Sequence, residues 1–328
     1  MDSDPQELGA TVDAAIAVDL GGTNMRAALV TRSGAIRHLV AAPTLAEEGP
    51  TSVIDRLVAL IQRVAAAEHV PASVPVGVAI PGPLNPTTGV VYFGPNLPGW
   101  RDVPLRDLLM ARLGRLVIVG NDANCAALGE AMFGTERDVR HLIYIALGTG
   151  VGGGIIANGQ LIEGVGGLGG EIGHVSVDPH GPRCTCGGLG CIEAYAGGWA
   201  IAREGRLLVR SQRSSLIVEL AGSAPVTAEV VADAAEAGDA EAKAVFNRAG
   251  LALAVGLGGL INVFNPEMLV IGGGLAQAGE LIFDPFREAL PRYTMRPIYP
   301  DVTITRSTLG QHTGIYGAAA RVFSTPGA

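Results

Sequence analysis

A chain of 328 residues has room for about two domains and a large buried core. With 48% hydrophobic residues, 5% aromatic, 16% charged and 47 glycines, it suits an α/β protein with many tight turns and excludes extended disorder. The formal net charge of −8 excludes a basic nucleic-acid-binding face. The acidic N-terminus MDSDPQELGATVD lacks the apolar core of a signal peptide, so a cytoplasmic chain is expected, where disulfides are rare. The longest apolar run, AGLALAVGLGGLI after Arg248, is thirteen residues, too short to span a bilayer. It reads as a core helix, and neither a membrane nor a nucleic acid is an expected partner.

The first element, IAVDLGGTNMRAALV (16–30), reads as an apolar strand, a glycine turn and a second strand. Glycine turns leave backbone N–H groups bare, a natural cradle for phosphate oxygens. Asp19 ends the first strand at this turn. It either orients a metal–phosphate group or caps the turn, as Asp often does. Residues 51–69 place Val53, Leu57, Leu60, Ile61 and Val64 at helical spacing. PVGVAI (75–80) and LVIVG (116–120) are short apolar runs that end in turn residues, hence buried strands. Asn121 and Asp122 follow the second of them and precede the helix ANCAALGEAMFG, closed by Gly134. Asp122 is either that helix's N-cap or a general base at a strand end, with Asn121 positioning the same substrate group.

LIYIALGTGVGGGIIANGQLI (142–162) repeats the strand–glycine-turn–strand design, so each half of the chain carries one copy. Gly148, Gly150 and Gly153 match a dinucleotide fingerprint, but that fingerprint must open a helix and here a strand follows. Gly164, Gly166 and Gly169 fail for the same reason, and no P-loop is present. MLVIGGGLA (268–276) is a further strand and glycine turn, with a helix from about Leu281. Lys243, the only lysine, falls in the predicted helix AEAKAVFNRAG, where a solvated face is its ordinary place. Strands and helices alternate in both halves, which implies an α/β fold of two related lobes with a cleft between them.

The stretch HVSVDPHGPRCTCGGLGCIEAYAGG (174–198) gathers His174, Cys184, Cys186 and Cys191. Three thiolates and an imidazole make a closed tetrahedral set of the structural zinc type. Inert buried cysteines and redox chemistry remain open readings of the same spacing. Cys125 lies far off and reads as a small core residue.

DLGGTN, NDANCAALGE, LGTGVGGG, GGEIGHVSVDP, CTCGGLGCIEAYAGG and VIGGGLA follow one another in the order of the ROK-family sugar kinases, which the chain resembles from about Ala15 to Ala320. CTCGGLGCIE fits that family's C-x-C-G-x-x-G-C-x-E zinc motif at every fixed position. The resemblance implies an actin-like ATPase (ribonuclease H-like) fold whose lobes close over ATP and a hexose. It implies a first phosphate loop with Asp19, Gly21, Gly22, Thr23 and Asn24, and a second with Gly148, Thr149 and Gly150. Gly272, Gly273 and Gly274 would border the adenosine. Gly82, Asn96, Asn121, Asp122, Glu171, His174 and Glu193 match sugar-site positions, with Asp122 the base. Mg²⁺ with ATP, a structural Zn²⁺ and a homodimer are implied as well. YFGPNLPGW looks most like the glucokinases, while N-acetylmannosamine, N-acetylglucosamine and fructose are the alternative acceptors. ROK regulators carry a DNA-binding segment ahead of the first loop, for which the eighteen residues before Asp19 are too few. A regulator or a non-catalytic sugar-binding protein is therefore the lesser expectation. The lobes are expected to divide as 1–121 and 122–310, with a C-terminal helix in 311–328 returning to the first.

Overall fold

The computed structural model describes residues 13–134 and 139–327, and its first sheet grows from the apolar run AAIAVDL, strand β1 (Ala14–Leu20). β2 (Asn24–Thr31) pairs antiparallel with β1, Leu20 opposite Met25, and β3 (Ile36–Pro43) extends the meander. Helix α1 (Gly49–Ala67) then leads to β4 (Val76–Ile80), which lies parallel to β1. β5 (Leu84–Asn85), β6 (Val90–Gly94) and β7 (Leu97–Pro104) form a separate small sheet before α2 (Leu105–Leu113). β8 (Val117–Asn121) joins β4 in parallel, and α3 (Asp122–Phe133) starts where β8 stops. The sheet order is β3-β2-β1-β4-β8. The parallel strands β1, β4 and β8 therefore end on one side, with Asp19, the turn at Gly82 and the Asn121–Asp122 pair at that side.

The second sheet has the same plan. β9 (Leu142–Leu147), β10 (Val151–Ala157) and β11 (Gln160–Leu161) form an antiparallel meander, the strand, turn and strand expected there in place of a dinucleotide fold. Five helices follow: α4 (Glu193–Ala196), α5 (Gly198–Arg210), α6 (Ser215–Ala221), α7 (Ala228–Glu236) and α8 (Ala240–Phe264). β12 (Met268–Gly272) pairs parallel with β9, α9 (Glu280–Ala289) follows, and β13 (Thr303–Arg306) completes the order β11-β10-β9-β12-β13. The last helix is α10 (Thr313–Phe323). Two sheets of identical strand sense and order are the internal repeat of the actin-like fold.

The chain divides into two units, one of Met1–Arg137, Glu163–Leu168 and Gln311–Ala328, the other of Asp138–Ile162 and Gly169–Gly310. The first break thus falls a helix later than the expected 121/122. The reason is close packing of α3 on α10: a Cβ on Gly129 would stand 2.9 Å from the Gly317 nitrogen, and one on Gly317 would stand 2.6 Å from the Cys125 carbonyl. Small residues at both positions let the two backbones meet.

In the first unit the α1 side chains Val53, Ile54, Leu57, Leu60, Ile61 and Val64 are buried with Ile16, Val18, Val76, Val78 and Val119 of the sheet. Fully burying each such side chain stabilises by about 1.5–3 kcal/mol. The opposite sheet face packs Ala15, Ala17 and Ala79 beneath Cys125, Ile315 and Ala318, so Cys125 is a core residue. In the second unit α8 runs 25 residues, well beyond the apolar run read from the sequence, between the caps Asp239 and Asn265. It is long and apolar enough to cross a bilayer, yet 61% of its most apolar window is buried inside the protein, including Phe246, Leu253, Leu257 and Ile261.

Candidate active site

In the first unit the site begins at the β1–β2 turn. Gly21 N–H donates to the Asn24 carbonyl at 3.0 Å and closes it. Two of its carbonyls are held from behind by buried Thr44: Oγ1 donates to Gly21 O at 2.7 Å, and its amide to Thr23 O at 2.8 Å. A trans peptide directs its N–H opposite its C=O, so pinning Gly21 O turns the Gly22 N–H the other way. Gly22 also lies against Asn96; a Cβ there would come within 2.7 Å of the Asn96 Cβ. The structure thus brings together the candidate phosphate turn and a sugar-side candidate distant in sequence.

Asp19 is half-buried, and among the described residues no turn amide bonds its carboxylate, so the turn-capping reading is not met. Its carboxyl rests on Gly314 near the start of α10, where any Cβ would collide with it. Burial raises its pKa from 3.8 to about 6, Arg26 pulls it down and Asp122 pushes it up. The N-cap of α3 is Asn121, not Asp122: Asn121 Oδ1 accepts from the amides of Ala123 (3.0 Å) and Asn124 (3.1 Å), while Nδ2 donates to Gly82 O at 3.2 Å. The cap role being taken, Asp122 presents its carboxylate to solvent at the helix start. One oxygen accepts from the Ala123 amide at 2.8 Å. Protein crowding its inner side thins the hydration of the carboxylate, although the residue keeps an open face, and so raises its pKa, opposed by the Ala123 amide and its own.

The second unit mirrors the first turn. Gly148 N–H closes onto Gly150 O at 3.0 Å. The carbonyls of Gly148 and Thr149 accept from the amides of Gly198 (2.9 Å) and Trp199 (3.0 Å) at the start of α5. By the same planar geometry the Thr149 and Gly150 N–H groups face away from α5, and among the described residues they have no backbone partner. A cavity of about 810 Å³ opens there, a size suited to a nucleotide. Gly148, Thr149, Trp199, Thr227, Asp233, Gly274, Leu275 and Gln277 line it. Of the glycines after β12, Gly274 reaches the cavity; Gly273 (φ 92°) turns the chain where a Cβ would collide with Leu147, and Gly272 lies 2.5 Å in the same sense from the Tyr144 hydroxyl. Lys243 is exposed, as expected, and borders an adjoining hollow of about 460 Å³.

His174 ends a short 3₁₀ turn, Ile172–His174, with Glu171 just before it. Its Nδ1 lies 3.6 Å from Cys184 Sγ and its Nε2 3.9 Å from a Glu171 oxygen. Cys186 Sγ is 3.7 Å from Cys191 Sγ, and the four ligand atoms lie within 4.8 Å of one another. The chain gets there by a tight reversal: Cys184 N–H donates to Gly188 O at 2.9 Å, and Gly190 sits at φ 63° where a Cβ would strike Asp178 O. Tetrahedral zinc with bonds of about 2.3 Å to sulfur sets S···S edges near 3.8 Å, which the observed spacing matches. Burial pushes the Cys191 thiol up to about 12, so a bound cation must supply the charge that ionises it.

Glu193 is buried. Its Oε2 accepts from the Val151 amide at 2.9 Å, and its Oε1 from Thr185 Oγ1 at 3.0 Å and Trp199 Nε1 at 3.3 Å. Sequence reasoning placed it only among sugar contacts and missed Thr44, Gly197, Gly198, Trp199 and the α7 lining altogether. The paired glycines of AGGW (196–199) are the local signal that could have marked a close backbone contact, but they do not say which turn they support.

A model of the ROK family matches residues 15–324. The glucokinase of Thermotoga maritima is 42% identical over 306 residues, covering 93% of this chain and 96% of that one. The ROK hexokinase of Thermus thermophilus superposes with a TM-score of 0.81 at 32% identity, over 94% of this chain and 97% of that one. A ROK family glucokinase from Streptomyces griseus, solved in complex with glucose and AMPPNP, gives 0.77 at 33% identity, over 93% and 98%.

Proposed function

We propose, from the premise that this chain belongs to the ROK family, that it transfers the γ-phosphoryl group of ATP to the 6-hydroxyl of glucose with Asp122 as general base. The observation that carries the reading is the Asp122 carboxylate, freed from capping by Asn121 and open to solvent at the end of parallel strands. A sugar hydroxyl is a weak nucleophile, and a positioned base that takes its proton contributes about 10²–10⁴-fold. A raised carboxylate pKa makes that acceptance easier near neutrality.

Phosphoryl transfer is mostly positioning and electrostatics. The outward amides of Gly22, Thr149 and Gly150 suit phosphate oxygens, and the cavity beside Gly274 and Trp199 suits the nucleoside. Asp19, with Thr23 and Asn24 at the turn, is placed to orient Mg²⁺ carried by ATP, which supplies positive charge to the phosphates. Glu171, His174 and the outward side of Asn96 accept or donate to sugar hydroxyls, and Glu193 Oε2 keeps one lone pair for the same purpose. His174, Cys184, Cys186 and Cys191 hold Zn²⁺, whose closed set leaves no coordination position for substrate. Its contribution is rigidity at His174 and Glu193. Free thiols in that role suit a reducing cytoplasm, and the reading includes a homodimer, which light scattering tests.

A regulator of the same family needs the sugar residues but no working phosphate turns, and both turns here keep their amides outward. The test is ADP release from Mg-ATP against glucose, N-acetylmannosamine, N-acetylglucosamine and fructose. Highest kcat/KM with glucose supports the reading. Preference for an N-acetylated sugar or fructose overturns the substrate, and no sugar-dependent release overturns the kinase.

A further inference from the structure

We infer that Glu193 is a positioning residue for the nucleotide, coupling the metal-holding loop to the ATP pocket. This inference rests on reading the 810 Å³ cavity as the nucleotide pocket. Three structural facts meet at this one carboxylate. On one side Thr185, between two of the metal-ligating cysteines, donates its hydroxyl to Oε1. On another, the indole N–H of Trp199, a cavity-lining ring, donates to the same oxygen. Oε2 takes the amide of Val151, the residue directly after the second phosphate turn.

The geometry is tight. A Cβ at Gly150 would collide with Glu193 Oε2, so the turn lies directly on the carboxylate. Gly197 clears the same side chain: a Cβ there would stand 3.1 Å from Glu193 Cγ and 3.4 Å from Gly150 Cα. The Val151 N–H, drawn inward to Glu193, fixes the far end of the Gly148–Gly150 reversal, whose Thr149 and Gly150 amides are turned outward by the bonds from α5. With Cys184 Sγ also 3.8 Å from Oε1, this buried side chain gathers four donors, and such a hub holds them in one arrangement because leaving any of its oxygens unmatched inside the protein is costly. Ordering of the cysteine loop therefore sets the position of the phosphate turn and of the Trp199 ring without touching nucleotide.

The test uses zinc-replete protein and Mg-AMPPNP, with binding followed by calorimetry and metal content by mass spectrometry. Thr185→Val removes one hydroxyl from the loop; Thr185 does not line the cavity, and its bond to the sugar candidates is the single one to Glu193 Oε1, leaving the Oε2 side in place. It should weaken Mg-AMPPNP about threefold and raise the KM for ATP alike, with zinc content unchanged and the KM for glucose within about twofold. Glu193→Ala should weaken Mg-AMPPNP on the order of tenfold, and Glu193→Gln should recover most of that, since its carbonyl still accepts from Val151. A residue that only stabilised the fold would lower stability without this separation of the two KM values. If wild-type protein binds Mg-AMPPNP and Thr185→Val and Glu193→Ala bind it equally well with zinc retained, the coupling is wrong while the kinase reading stands. If the wild type takes no nucleotide, the kinase reading falls and the coupling with it.

Discussion

Asp19 is expected to hold the protein back in stability while it serves the reaction. Replacing it by Asn keeps the shape and removes the charge. Its pKa rises from 3.8 to about 6 because folding buries the carboxyl, which outweighs the pull of Arg26, with a lesser push from Asp122. The native state thus holds the proton more tightly than the unfolded chain. Linkage then makes the ionised carboxylate unfavourable above pH 6, with the penalty fading between about pH 6 and pH 4 and absent below. A shift near two units corresponds to about 3 kcal/mol, and relaxation around a half-buried group reduces the effect to about 1–3 kcal/mol. Urea unfolding should therefore show Asp19→Asn more stable than wild type by that amount at pH 7, with the curves converging near pH 4. Turnover should move the other way. Wild-type kcat/KM should fall with acid around pH 6 as Asp19 takes up its proton, and Asp19→Asn should lose about 10²-fold or more at all pH values. A variant less stable than wild type at pH 7, with no pH dependence in the difference, would refute the burial argument.

Cys186→Ser should lose bound zinc by mass spectrometry and raise the KM for glucose, because the loop carrying His174 loses its closure; unchanged sugar affinity in zinc-free protein would refute the bracing role. Gly314→Ala should cut turnover more than tenfold and cost about 1–3 kcal/mol in urea, since the added methyl meets the Asp19 carboxyl. Wild-type kinetics in that variant would mean that the Asp19 position is unimportant. Thr44→Val should raise the KM for ATP and cost about 1–3 kcal/mol, because Gly21 O and the turn lose a buried donor; a variant with wild-type KM and stability would show that the turn holds itself.

The repeated strand–glycine-turn–strand units were legible because apolar alternation and glycine spacing are local signals, and both hairpins formed where that spacing put them. The cysteine cluster was legible for the same reason, all of its ligands lying within one short segment. The sequence leaves Asp122 between cap and base, and the structure gives the cap to Asn121, a choice that turns on one residue of helix phase. What stayed hidden depends on distant pairings. Thr44 reaches back to Gly21 across a strand, α5 is hung from a turn fifty residues upstream by two amides, and Glu193 faces Val151 across the second unit. No local period encodes such contacts. The division of the chain was misplaced for a related reason, since helix ends and glycine-to-glycine packing such as Gly129 on Gly317 become visible only when α10 returns to α3.

The central claim is that the Asp122 carboxylate takes the proton of the sugar hydroxyl, and the most direct measurement is steady-state kinetics of Asp122→Asn beside its affinities for glucose and Mg-AMPPNP. The account predicts a fall in kcat of about 10²–10⁴-fold, with both affinities within a few-fold of wild type. Turnover near the wild-type rate with both ligands bound would contradict it.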